Sequence, residues 1–267
     1  MAAPVILPKT KFTDLRKLLQ KKYRTERNQF LVEGIRSIDE VLMADWHVEL
    51  VLITQEALVE HGPLVQRIRE RRVPLYSIPM KDLEKISDTD HSQGLLAVVR
   101  QKSMPAKFLD RLPSRSMVVV ADDISEPGNV GTVIRTCDWF GVNAVVVSDR
   151  SVEVFNPKVV RSTMGSLFHV PIIQGARVED ILGQLKKNNY RVYATSSGEG
   201  NDVQRITWNE RAVLAFGNEA HGLSAAAFRM ADEIVNIPRF GKAESLNVGI
   251  ACGIVLASWR LHSGLHP

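Results

Sequence analysis

Two periodicities alternate along the chain. Short unbroken apolar runs at 29–32, 50–53, 73–76 and 95–99 have the length and residue types of strands. The segments between them, at 35–43, 64–71 and 80–86, space their apolar residues by three and four as amphipathic helices do. The first hundred residues therefore read as a small α/β domain.

Residues 101–116 lose that periodicity and carry Pro105, Pro113 and several charges, the composition of a linker. The chain divides there into an N-terminal domain at 1–103, a linker at 104–116 and a second domain at 117–267. The second domain opens on Met117-Val118-Val119-Val120-Ala121, an unbroken apolar run of the kind that a parallel sheet buries on both faces. Asp122-Asp123 and the turn residues Glu126-Pro127-Gly128 follow. Asn129 is then placed to cap a helix whose buried stripe is Val130, Val133, Ile134, Cys137 and Phe140, with Arg135 off that stripe. Ala144-Val145-Val146-Val147-Ser148 completes a strand, helix, strand unit. Further strands at 192–195, 213–216 and 234–237, and a closing helix at 247–262, predict a largely parallel sheet flanked by helices.

Composition narrows the partners more than the fold. The chain has 267 residues, 45% of them hydrophobic, which is enough for two cores and far from a disordered composition. A formal net charge of +4 and an isoelectric point near 9.1 favour a polyanionic partner. The two cysteines, Cys137 and Cys252, lie on apolar helical stripes and read as buried thiols; a disulfide framework or cysteine-rich zinc site is not expected, nor any other metal. No apolar stretch has the length of a bilayer span, and the N-terminus carries no long apolar region, so a soluble, cytoplasmic protein without membrane attachment is expected.

Candidate chemistry gathers in three segments. Asn129 and Arg135 sit near the start of a helix that follows a strand, where both can face the carboxyl edge of the sheet. Gly128-Asn129-Val130-Gly131 is neither a Walker A loop nor a dinucleotide fingerprint. Taken alone, this segment is as well read as a helix cap and a solvated arginine. The other two segments are Gly217-Asn218-Glu219-Ala220-His221-Gly222-Leu223-Ser224 and Ile237-Pro238 leading to Ser245-Leu246-Asn247, each after an apolar strand-like run.

In this order the three segments closely resemble the signature motifs of the SpoU (TrmH-like) family of RNA ribose 2'-O-methyltransferases, within the SPOUT superfamily. The resemblance covers 117–260. A weaker one, resting on Phe30-Leu31-Val32-Glu33-Gly34, likens the first hundred residues to the ribosomal-protein-like substrate-binding domain of the ribosomal-RNA members. The resemblance implies an α/β catalytic domain with a trefoil knot, S-adenosylmethionine as cofactor, a homodimer with the active site near its interface, and ribosomal RNA as substrate. Transfer RNA is the alternative substrate, and a non-catalytic RNA-binding assembly factor on the same fold is the alternative function. By position, the cofactor falls to Gly217, Asn218, Gly222, Ile237 and Leu246, with Thr195 and Ser196 near its adenosine. Arg135 is implied to contact the reacting ribose, with Asn129, Glu219, Ser245 and Asn247 completing a polar ring. Arginine is an awkward general base, which suits Arg135 to positioning and charge stabilisation, with transient base function open if its site is desolvated. Glu219 could orient Arg135 or Asn129, or accept a hydrogen bond from the sugar.

RNA contact has separate support in Arg16, Lys17, Lys21, Lys22, Arg24 and Arg27, a basic cluster around Tyr23 suited to phosphate contact and stacking. Lys158, Arg161, Ser162, Arg239 and Lys242 could extend that surface. His221 reads as a solvated loop histidine. Gly249 stands where family members often have serine or another small residue. It lowers helix propensity by about 1 kcal/mol relative to alanine, and close packing there is the expected reason.

Overall fold

The apolar runs become the strands of two separate sheets. A computed structural model describes residues 4–89 and 91–262; 1–3, 90 and 263–267 lie outside the described residues, and with them the first residues of the N-terminal stretch and the last of the expected second domain. By its internal contacts the chain falls into two units, one of Met1–Lys102 with Phe155–His169 and the other of Ser103–Val154 with Val170–Pro267.

In the first unit β1 (Val5–Ile6) leads to α1 (Lys9–Arg16) and α2 (Lys21–Arg27). These precede β2 (Gln29–Glu33), α3 (Ile35–Met43), β3 (Val48–Ile53), α4 (Gln55–Glu60), α5 (Gly62–Glu70), β4 (Leu75–Ser77), α6 (Met80–Leu83) and β5 (Leu95–Arg100). Among the described residues the sheet has the order β1-β4-β3-β5-β2. β5 runs antiparallel to both of its neighbours, and the β1, β4 and β3 pairings are parallel. One of its cores joins Leu31, Leu50, Leu52, Leu96 and Val98 of the sheet to Leu15, Leu18, Leu83 and Ile86.

The second unit is built around β6 (Ser116–Ala121), all six residues of which are buried. α7 (Pro127–Trp139) and β7 (Ala144–Ser148) follow, and then the chain leaves. α8 (Pro157–Ser162) belongs to the first unit, where it packs on β2. There Phe155 lies against Phe30 with ring centroids 4.7 Å apart, and Phe168 meets Trp46 edge-on at 5.3 Å. The Arg161 guanidinium donates to the Asp88 backbone oxygen at 2.7 Å and to its carboxylate at 3.0 Å. Lys158, Arg161 and Ser162, placed by the sequence in the second domain as an extension of the N-terminal basic surface, are thus part of the first unit, with Arg161 taken up by Asp88.

The chain returns through β8 (Ile172–Ala176), α9 (Val178–Lys187), β9 (Arg191–Ser196), β10 (Asn201–Asp202), β11 (Arg211–Phe216), α10 (Ala225–Arg229), β12 (Glu233–Asn236) and α11 (Val248–His262). Among the described residues the sheet order is β10-β12-β9-β11-β6-β7-β8, with every pairing parallel. The expected linker does not hang free. Residues 106–111 form a 3-10 turn whose Leu109, together with Leu112, enters the core of this unit beside Val118, Val146 and Leu182. Its prolines and charges masked an apolar contact too short to show a period.

α7 and α11 pack together, and both cysteines lie buried in them. Burial pushes the Cys137 thiol well above its ordinary pKa, and Cys252 beside it adds to the rise, so neither the surface nor the electrostatics favours a reactive thiolate. The close approach is set by Gly249, where a Cβ would lie 2.5 Å from Thr132 Cγ2 and 3.1 Å from its Cβ. Threonine is stiff at χ1 and cannot swing away cheaply. Gly249→Ala is therefore expected to destabilise the protein by about 1–2 kcal/mol despite the gain in helix propensity. Urea unfolding should show a lower midpoint at unchanged slope, with partial recovery in Thr132→Ala/Gly249→Ala; an alanine variant at least as stable as the parent would refute the packing account.

Candidate functional site

A parallel sheet exposes loop backbone at the carboxyl ends of its strands, and here β12, β9 and β11 lie side by side. The residues that end or follow them, Thr195 to Ser197, Phe216 to Leu223 and Val235 to Leu246 in part, line a cleft of about 580 Å³. All seven residues assigned to the cofactor lie on it: Thr195, Ser196, Gly217, Asn218, Gly222, Ile237 and Leu246. Its inner wall is apolar, with Phe216, Phe228, Val235, Val248 and Val255, and its mouth carries Glu219, His221, Glu244 and Ser245.

The loop after β11 is a closed structure of its own. Asn218 and Gly222 exchange backbone hydrogen bonds of 2.9 and 2.8 Å, and the Asn218 side-chain oxygen accepts from the Ala220 and His221 N–H groups. Its amide nitrogen donates to the Asp123 carbonyl at 2.8 Å, which ties the loop to the end of β6. A Cβ on Gly217 would run into the backbone of Gly222 and Leu223. Glycine is needed at 217 because the loop folds back on itself.

Asp122 supplies a second tie that the sequence pattern marked only as the end of a strand. Its side chain is fully buried; one oxygen accepts from the Ser224 N–H at 2.9 Å, and the other receives Arg150 at 3.0 Å. The Arg150 pKa is raised above its ordinary value, first by that hydrogen bond. A buried carboxylate without partners is costly, so Asp122 fixes the start of α10 to the edge of β6. A signal was present in Asp122, an acidic residue directly after a run buried on both faces.

The three candidate segments meet through two amides. Asn247 caps α11, its Oδ1 accepting from Gly249 N at 2.9 Å and Ile250 N at 3.4 Å. That leaves its Nδ2 to donate to Asn129 Oδ1 at 2.8 Å, and Asn129 Nδ2 in turn donates to Glu219 Oε1. The direction of the relay is set by the cap, because an oxygen that accepts from backbone N–H groups cannot also be the donor. Glu219 is thus oriented by Asn129 and not by Arg135, and no partner of Glu219 Oε2 is seen among the described residues.

Three assignments change. Asn129 is not the cap of α7; Glu126 takes that place, accepting from Gly128 N with Pro127 at the first turn, and Asn129 sits inside the helix. Arg135 does not face the cleft of its own chain. It lies six residues beyond Asn129, roughly 240° around an α-helix and 9 Å along it, exposed and without a hydrogen-bond or ionic partner among the described residues. Ser245 reaches the cleft mouth and is exposed. In the basic cluster, Arg24 is only 2% exposed and donates to the carbonyls of Leu18 and Leu19 at 2.8 Å, so it holds the α1–α2 turn and is withdrawn from phosphate contact. Arg27 and Lys17 both bind the Asp14 carboxylate, while Arg16, Lys21 and Lys22 are exposed.

Among the described residues no group of three His, Cys, Asp or Glu side chains is placed to hold a metal ion, and no helix is long and apolar enough to cross a membrane.

Known proteins are similar to this chain in sequence and fold. The SpoU rRNA Methylase family model matches residues 116–257, and the MRM3-like substrate binding domain model matches residues 9–97. The 23S rRNA (guanosine(2553)-2'-O)-methyltransferase RlmP of Bacillus subtilis (strain 168) is 32% identical over 250 residues, 94% of this chain and 96% of that protein. The crystal structure of an AdoMet-bound rRNA methyltransferase from Sinorhizobium meliloti superposes with a TM-score of 0.85 at 29% identity, covering 98% of both chains. That of the SpoU methyltransferase AviRb from Streptomyces viridochromogenes with AdoMet gives 0.85 at 25% identity over 96% of this chain and 99% of that one. With the cleft, the relay and the flanking sheet in the same chain, these matches place the protein in the SpoU rRNA methylase family.

Proposed function

We propose that the chain transfers the methyl group of S-adenosylmethionine to a ribose 2'-hydroxyl of ribosomal RNA, in the cytoplasm and as a homodimer. The observation that carries this reading is the Asn247, Asn129, Glu219 relay at the rim of the cleft, which joins three distant segments around one carboxylate. The cleft volume lies within the range of small-molecule sites, and its apolar wall with a polar mouth suits a nucleoside that bears a charged tail. Thr195, Ser196, Ile237 and Leu246 would hold the cofactor's adenosine, with backbone of 217–222 along its edge.

When bound, S-adenosylmethionine supplies an activated methyl group on a positively charged sulfur. What remains for the chain is to align the ribose oxygen and ease loss of its proton. Glu219, held through one oxygen, offers the other to a sugar hydroxyl. The relay keeps that carboxylate from turning away, so the ribose meets a fixed acceptor.

Arg135 carries a planar guanidinium with five donors and no acceptor, and so acts by positioning and by balancing charge on the ribose oxygen. It lies outside its own cleft, and a second copy completes the site. Two observations support this. Arg135 is exposed on α7 near Trp139, which is 84% exposed, and the outer side of α11 presents Ile250 and Ile254 to solvent. Exposed apolar side chains on two helices that pack together are suited to a self-complementary contact.

The choice of ribosomal RNA rests on the N-terminal unit, whose match to a substrate-binding domain accompanies the catalytic one. Labelled S-adenosylmethionine should transfer label to ribosomal RNA at a position resistant to alkaline cleavage. Label on transfer RNA alone would change the substrate, label on a base would overturn the ribose assignment, and RNA binding without transfer would favour an assembly factor.

Asn129→Ala should lower kcat on the order of 100-fold by freeing Glu219, with cofactor affinity in calorimetry unchanged; equal loss of cofactor binding would count against the relay. Equal amounts of Arg135→Ala and Glu219→Ala chains, each inactive alone, should regain about a quarter of wild-type activity when mixed and reassociated, since half of the dimers then carry one intact site of two. A mixture as inactive as its parts would show that Arg135 serves its own chain.

A further inference from the structure

The loop from Arg239 to Asn247 is exposed throughout, yet it holds a phenylalanine. Phe240 is 98% exposed and lines the mouth of the cleft. A solitary exposed apolar side chain needs no explanation on an ordinary surface, but this one sits at the entrance of the proposed methyl-transfer site. It has Arg239 on one side and Gly241-Lys242 on the other. Arg239 donates within the loop to the Ala243 carbonyl at 3.4 Å, and Lys242 has no ionic partner among the described residues. Glu244 is the loop's one carboxylate, so the segment carries a net positive charge.

The chemistry of the substrate makes a demand that such a loop meets. A ribose hydroxyl can enter the mouth of a cleft only if its nucleotide leaves the stack of its neighbours, and an extruded base loses its π contacts on both faces. Single-stranded bases regain such contacts on aromatic side chains, while nearby cations hold the backbone. From the ring at the cleft mouth and its flanking cations, we infer that Phe240 is a stacking platform for the base of the nucleotide that is methylated, with Arg239 and Lys242 on the adjoining phosphates. The inference rests on the proposed RNA methyl transfer and adds a positioning residue to it. Phe240 selects for an unstacked nucleotide without reading the identity of its base, because every base has a π face.

The test uses the full chain and a 23S ribosomal RNA transcript, with RNA affinity measured by fluorescence anisotropy and cofactor affinity by calorimetry. Phe240→Ala should weaken RNA binding and lower kcat/KM for RNA about ten-fold, the size of one aromatic stack. Cofactor affinity, molecular mass in solution and thermal midpoint should stay as in the wild type. Phe240→Trp should restore binding and Phe240→Leu should not. Leucine behaving as phenylalanine would overturn stacking in favour of simple apolar contact. Weakened cofactor binding would make the ring a cover for the cofactor, and a change in mass would make it part of a protein interface. Absence of methyl transfer by the wild type would defeat the proposed function, whereas RNA affinity indifferent to Phe240→Ala would defeat only the stacking role.

Discussion

An amide side chain has one end that accepts and one that donates, and the site depends on how Asn247 divides them. The first N–H groups of α11 claim its oxygen. Its nitrogen is then committed to Asn129, and the polarity of every later hydrogen bond follows, ending on Glu219. The same contact requires α7 and α11 to lie close. That closeness comes from Gly249, which gives the methyl of Thr132 room that any side chain would occupy. A helix cap, a packing choice and the direction of a carboxylate are thus one constraint, and a chain that lost any of them would lose the convergence of its three polar segments.

One side of the cleft is formed by the loop after β11. Asn218 and Asp122 bind the loop after β11 to the edge of β6, so the backbone of that loop is held by side-chain hydrogen bonds. Preorganisation of this kind removes the need to order a loop when a ligand arrives. It also explains why polar residues with no direct chemistry sit among those that line the site.

Much of the second unit was readable from its sequence because its strands are buried on both faces. β6, β7 and β11 are runs of Val, Ala, Leu and Phe with no polar alternation, and α11 keeps Val248, Cys252, Val255 and Trp259 on one buried side. The seven cofactor positions came from the resemblance of their segments to the family motifs, and the fold brings them to one cleft. What could not be read depended on distant partners. Arg24 looks like a phosphate ligand by charge and neighbourhood, and only the turn that brings Leu18 and Leu19 beneath it turns its guanidinium inward. Arg135 and Asn129 share a helix, but a separation of six residues sends them to different sides. The stretch 104–116 has the composition of a linker, and Leu109 and Leu112 have no period until the core that receives them exists.

The excursion between β7 and β8 bears on how this protein could be divided or recombined. The first unit is discontinuous: it is assembled from the beginning of the chain and from Phe155–His169, which carries Phe155 to Phe30 and Phe168 to Trp46. A cut near residue 103 does not separate two modules, since the downstream piece retains an aromatic segment whose partners have gone. Exchange of the N-terminal domain between relatives by a single crossover would pair each half with a foreign complement. Inherited variation on the two sides of this contact is therefore expected to change together, which makes the chain one heritable unit despite its two cores.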